Sequence, residues 1–200
     1  MDETYFLYSE KGQRKIKGRK PSKRGGKAKK CGISNQQVCV LVARDRTKAT
    51  VSTVLGRGRI ETTKLDYAVG DKLSSTNTLC TDCWRAFKQF AKTKGISEHY
   101  TFTASKMEHV KGLYHIQNVN SYHSRLKGWI RKFNRVATKY LQNYLAWFGF
   151  LESIQFKTDD VFTKEFLVKS CVYPMKETNL SLINQYMIWE YFETKITIQT

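Results

Sequence analysis

Two hundred residues, 40% apolar and 13% aromatic, suffice for one domain with a real hydrophobic core and exclude a disordered chain. A formal charge of +18, from 35 Lys and Arg against 17 Asp and Glu, points to a polyanionic partner. A membrane surface is the weaker fit, because the basic residues lie among glycines and no apolar run approaches the roughly 20 residues of a span.

The chain opens on Met1-Asp2-Glu3-Thr4-Tyr5, with no basic region leading into an apolar stretch, so no secretory signal is visible and a cytosolic protein is expected. Asp2 stands beside the apolar Tyr5-Phe6-Leu7, a strand-like segment. From Ser9 to Asn35 there follow eleven Lys or Arg, one Glu, five Gly and a Pro, with hardly an apolar side chain. Residues 9–35 therefore read as a basic, flexible loop between two strands, placed to meet phosphates through Lys11, Arg14, Lys15, Lys17, Arg19, Lys20, Lys23, Arg24, Lys27, Lys29 and Lys30.

Gln37 to Ala43 is β-branched and almost wholly apolar, as a strand buried on both faces would be, and Ala49 to Leu55 alternates. Arg44-Asp45-Arg46-Thr47 reads as the turn of their hairpin. Gly56 and Gly58 break the second strand, Glu61 to Val69 predicts a short helix ended by Gly70, and Ser75 to Asp82 predicts a strand ending on an acid. Trp84 to Lys94 has helical apolar spacing stopped by Gly95, and His99 to Thr103 alternates as another strand.

Beyond Asn118 the pattern turns helical. Tyr122, Leu126, Trp129, Ile130 and Phe133 mark one amphipathic helix over Ser121 to Phe133, and Ala137 to Phe148 marks a second. Ser153 to Cys171 and Asn179 to Phe192 predict further helices, with Pro174 between them. The whole reads as an α/β core over residues 1–152 with a helical C-terminal extension over 153–200.

Asp2 and Asp82 are both strand-associated acids, and neighbouring strands would bring them into one site suited to hard divalent cations. A third oxygen ligand would come from a helix against the sheet, and Asn120 is placed for it. Lys127 lies seven residues on, about 700° around the helix and roughly 20° short of two full turns, so it shares the face of Asn120 and can hold a DNA phosphate. Singly these residues have plainer readings: Asp82 as a turn or cap residue, Asn120 as a helix N-cap. Cys80-Thr-Asp-Cys83 has the spacing of a zinc knuckle or redox pair but lacks a second ligand pair, so packed free thiols are the better account. His115 and His123 straddle Asn120, and imidazole does not suit an oxygen-ligated site. Trp84, Trp129, Trp147 and Trp189 read as core more than as base-stacking platforms.

Asp2-Glu-Thr-Tyr-Phe6, Thr78-Leu-Cys-Thr-Asp82 and Asn118-Val-Asn-Ser-Tyr-His-Ser-Arg-Leu-Lys127 resemble the motif blocks of ISXO2-like insertion-sequence transposases, as do Phe133 to Leu141 and Asn143 to Trp147. The likeness runs from the first residue to about Glu152. It implies an RNase H-like mixed sheet flanked by helices, within the DDE superfamily branch whose signature is Asp, Asp, Asn, Lys. Carried over by motif, Asp2, Asp82 and Asn120 would hold two Mg²⁺ or Mn²⁺ ions and Lys127 would be the basic residue of the signature. The implied activity is strand cleavage and strand transfer on double-stranded DNA, at transposon ends and target. The implied setting is the bacterial cytoplasm, nucleoid-associated, with a homo-oligomer possible on DNA.

Relatives of this type carry a zinc ribbon ahead of the first aspartate, so an N-terminally truncated chain is expected. The competing function is an inactive remnant that only binds DNA non-specifically, and a third is an RNA-binding protein using the same basic stretch.

Overall fold

The computed structural model describes residues 1–13, 16, 28, 30–103, 110–154, 159–172 and 177–184. Most of the basic stretch (Arg14, Lys15, Lys17, Arg19, Lys20, Lys23, Arg24, Lys27 and Lys29), together with Trp189 and residues 185–192 of the last expected helix, lies outside the described residues.

Three antiparallel strands form the first sheet, β1 (Asp2–Leu7), β2 (Gln37–Arg44) and β3 (Thr50–Arg57), in the order β1-β2-β3. As the unbroken apolar run of β2 requires, both of its faces are covered. Cys39 and Leu41 pack with Leu55 against α1 (Thr62–Val69) and α2 (Arg85–Thr93), through Leu65, Val69, Phe87 and Phe90. Val38, Val40 and Val42 pack with Val54 against α3 (Gln117–Arg131) and α4 (Leu141–Ile154), through Val119, Tyr122, Leu126, Leu145 and Phe148. A bulge between Cys39 and Val40 gives β3 one extra residue, next to Gly56 at a φ of 135°.

A second sheet pairs β4 (Leu79–Asp82) with β5 (His99–Phe102) in parallel, joined by α2 as the crossover. β4 is shorter than the expected strand because Ser74 and Asn77 close a turn ahead of it, the Ser74 amide donating to the Asn77 side chain at 2.7 Å. The Met1 nitrogen donates to the Cys80 carbonyl at 2.6 Å, which sets the start of β1 beside β4. A small hairpin, β6 (Val110–Lys111) and β7 (Tyr114–His115), precedes α3 and was not legible as strands.

Two helix ends differ from expectation. Gly70 follows α1 in right-handed geometry, φ −57°, and runs into a 3₁₀ turn over Gly70–Lys72, so it is no left-handed stop. α3 starts at Gln117 rather than Ser121, with Ile116 at its N-cap, so Asn120 is inside the first turn and is not a cap. At its other end the ammonium of Lys11 donates to the Phe133 and Arg135 carbonyls at 2.8 and 2.9 Å, completing a turn in which Asn134 and Arg135 have positive φ. α3 and α4 are joined by the ring cluster of Trp129, Phe133, Tyr144, Trp147 and Phe148. They are also joined by Glu152, whose carboxylate takes two bonds from Arg125, at 2.9 and 2.5 Å, and lies 3.5 Å from Arg44 of β2. α5 (Asp159–Val172) and α6 (Asn179–Ile183) follow, one for each of the two expected helices, α5 starting later than Ser153 because α4 runs on to Ile154. No helix among the described residues is long and apolar enough to cross a membrane.

Candidate metal centre

Asp2 opens β1 and Asp82 ends β4, and the Met1 to Cys80 bond makes these two points neighbours. Their carboxylates meet, and a third joins them: Asp2, Glu3 and Asp82 each offer an oxygen, and all three lie within 4.8 Å of one another. Among the described residues no Lys or Arg forms an ion pair with any of the three carboxyl groups, which lie half-buried, and the Met1 terminus and Lys127 are positive groups that act on Asp2 from a distance. Burial, then the charge of Asp82, pushes the Asp2 carboxyl up to about 6. Burial, then Asp82 and Asp2, pushes Glu3 up to about 7, and burial also raises Asp82.

One Asp82 oxygen accepts the Trp84 amide at 3.0 Å, where the chain turns into α2. The plain reading of Asp82 as a turn residue therefore holds for one oxygen and leaves the other for the cluster. Glu3 Oε1 accepts the Tyr5 hydroxyl at 3.4 Å, while Oε2 is shielded from solvent without a hydrogen-bond partner.

α3 closes the cluster from the other side. His123 is 7% exposed, and its Nδ1 lies 3.8 Å from Asp2 Oδ2. That contact has the spacing of an ion pair but not its charge: burial, then the ammonium of Lys127, pulls the imidazole down to about 4, so it is neutral. Asn120 and Lys127 flank His123 at three residues before and four after, on the same helix face, and both are exposed. Lys127 favours the ionised form of Asp2 and disfavours charge on His123, which places its ammonium within electrostatic reach of both.

Of the residues expected to contact DNA, Lys127 and Lys30 are exposed, and Lys11 makes the helix-closing bonds to Phe133 and Arg135. All five cysteines are free, as expected. Cys83 Sγ lies 2.9 Å from the Thr103 hydroxyl, and among the described residues the acidic trio is the one group with metal-ligand spacing.

Glu3 and His123 are the residues beside Asp2 and Asp82 that sequence reasoning did not place there. Glu3 follows Asp2 directly, and the two-residue period of a strand assigns it to the opposite face. His123 was passed over on ligand chemistry, although its spacing between Asn120 and Lys127 already put it on their face.

A family profile described as the ISXO2-like transposase domain matches residues 1–152. No curated protein and no solved structure matches the chain.

Proposed function

The chain belongs to the ISXO2-like transposase family, and from that membership we propose that residues 1–152 are an RNase H-like catalytic core that cuts and rejoins double-stranded DNA at insertion-sequence ends. The observation that carries this reading is the meeting of Asp2 and Asp82, from β1 and β4, under the face of α3 that bears His123 and Lys127. The RNase H-like reading rests on an antiparallel β1-β2-β3 sheet, a parallel β4-β5 pair and the bond from Met1 to Cys80 between them, which together suit the order β3-β2-β1-β4-β5. The segment over residues 153–200, described through α5 and α6, is then an extension to this core.

Asp2, Asp82 and Asn120 are the proposed holders of two divalent cations, Mg²⁺ or Mn²⁺. The donors fit such ions: they are hard oxygens, the carboxyl groups form no ion pair with Lys or Arg among the described residues, and one buried oxygen beside them has no donor. Bound there, the cations would activate the attacking oxygen and stabilise the leaving one in an in-line displacement at phosphorus. The protein's own groups set the frame for that chemistry. The neutral imidazole of His123 packs against Asp2 and limits its rotation. Lys127 presents its ammonium on the outer side of the same face, where it would hold a backbone phosphate. The basic stretch from Lys11 to Lys30 adds sequence-independent attraction to the duplex, and paired ends would bring two copies of the chain together.

The test is nicking and strand joining of a duplex carrying the element's ends, in Mg²⁺ or Mn²⁺. Activity is expected from the wild type and none from Asp82→Ala. Activity persisting in that variant would overturn the assignment.

A further inference from the structure

We propose that Glu3 is a carboxylate ligand of the divalent-cation site, an inference that rests on the reading of Asp2 and Asp82 as cation-binding groups. Asp2 pairs with Val42 and lies on the sheet face covered by α3, whereas Glu3 pairs with Leu41 and lies on the face covered by α1 and α2. Alternation should keep their carboxylates apart. Both nevertheless reach Asp82, because it ends the neighbouring strand, and oxygens of all three come within 4.8 Å.

The surroundings of Glu3 are wrong for a structural acid. Its Oε2 is removed from solvent and has no hydrogen-bond donor, and its Oε1 accepts the hydroxyl of Tyr5 at a long 3.4 Å. No Lys, Arg or His among the described residues forms an ion pair with it, and two more carboxylates come within 4.8 Å of it. A buried acid so placed is unfavourable unless something positive and small enters the cluster.

A second, independent observation at the same cluster comes from His123 of α3. It is 7% exposed, stands 3.8 Å from Asp2, and its Nε2 has no partner. On the α3 side the site is thus walled by a buried ring with one nitrogen left without a partner. Asn120, a neutral amide, adds no negative charge to the ligand set. Glu3 supplies the third negative charge that two aspartates and an amide lack, and a divalent cation is the ligand class that three converging carboxylate oxygens select.

Calorimetric titration of the full-length chain with Mn²⁺, above the carboxyl titration range, tests this, alongside thermal melting without metal. Glu3→Gln keeps the shape and removes the charge. It should weaken Mn²⁺ binding by about tenfold or more while melting, metal-free, at or above the wild-type temperature. Glu3→Asp keeps the charge one methylene short and should bind with intermediate affinity. Mn²⁺ affinity in Glu3→Gln within about twofold of wild type, with binding abolished in Asp82→Ala, would overturn the role of Glu3 alone. A metal-free loss of stability in Glu3→Gln with unchanged affinity in Glu3→Asp would also overturn it, by assigning a structural role. A wild-type chain that takes up no Mn²⁺ would overturn the cation site itself, and Glu3 with it.

Discussion

Replacing Asp82 by Asn should make the metal-free protein more stable while removing its response to divalent cations. Asn keeps the oxygen that accepts the Trp84 amide at 3.0 Å, so the turn into α2 survives. What changes is one negative charge within 4.8 Å of two others. At an effective dielectric near 20, each such pair repels by about 3.5 kcal/mol, and partial exposure and screening reduce this severalfold. Burial is the larger cause of the raised carboxyl groups and is only partly relieved, so a net gain of about 1–2 kcal/mol is reasonable, on the order of 2–8 °C in melting temperature.

The pH dependence fixes the sign. Asp2, raised from 3.8 to about 6, and Glu3, raised from 4.5 to about 7, hold protons in the folded state that the unfolded chain has released. Their contribution to stability is therefore intact at acid pH, falls between about pH 4 and pH 7, and stays low above that. Wild type and Asp82→Asn should melt together at the acid end and separate as pH rises, the variant higher. Saturating Mn²⁺ should reverse the order at high pH, since a cation at 100 times its dissociation constant adds about 2.7 kcal/mol to the protein that binds it. Melting curves across pH, with and without Mn²⁺, measure both effects. A variant no more stable than wild type at high pH, or one that keeps the Mn²⁺ gain, would refute the reasoning.

Two further outcomes follow from other parts of the molecule. Glu152→Ala leaves Arg44, whose side chain is 6% exposed, without its carboxylate and unties α3 from α4, so denaturant unfolding should show a loss of about 2–4 kcal/mol; a loss under about 1 kcal/mol would place the pair among ordinary surface bridges. Converting Lys23, Arg24 and Lys27 together to Ala should flatten the dependence of log DNA affinity on log salt by about 0.9 for each phosphate the variant no longer neutralises. An unchanged slope would show that the basic stretch does not touch the duplex.

Most of the fold was legible because burial on two sides leaves a direct trace in composition. Val38, Val40 and Val42 serve one core cluster and Cys39 and Leu41 the other, so β2 could not be half polar, and its near-unbroken apolar run said so. α2 announced itself through Phe87 and Phe90 on one face and Gly95, at a φ of 66°, as its stop. The failures fall where local chemistry is silent. Ile116 caps α3 without a side-chain bond, so nothing in the sequence marked a start ahead of Ser121. The β6-β7 hairpin is two residues on each side, too short for any alternation to register.

The site divides along a different line. Asp2 and Asp82 were legible through their motifs and their places at strand ends, and Lys127 through the helical period that sets it near the face of Asn120. Glu3 was not, because its position is a property of two strands rather than of one. Pattern along β1 turns Glu3 away from Asp2, and only the placement of β4, held by the Met1 to Cys80 bond, lets Asp82 meet both. Periodicity assigns a side chain to a face; it says nothing about how far around the edge of that face a neighbouring strand can reach. A carboxylate beside a motif aspartate is therefore easily dismissed as facing the core, and in this chain it is the core-facing side that leaves Glu3 Oε2 buried and without a donor.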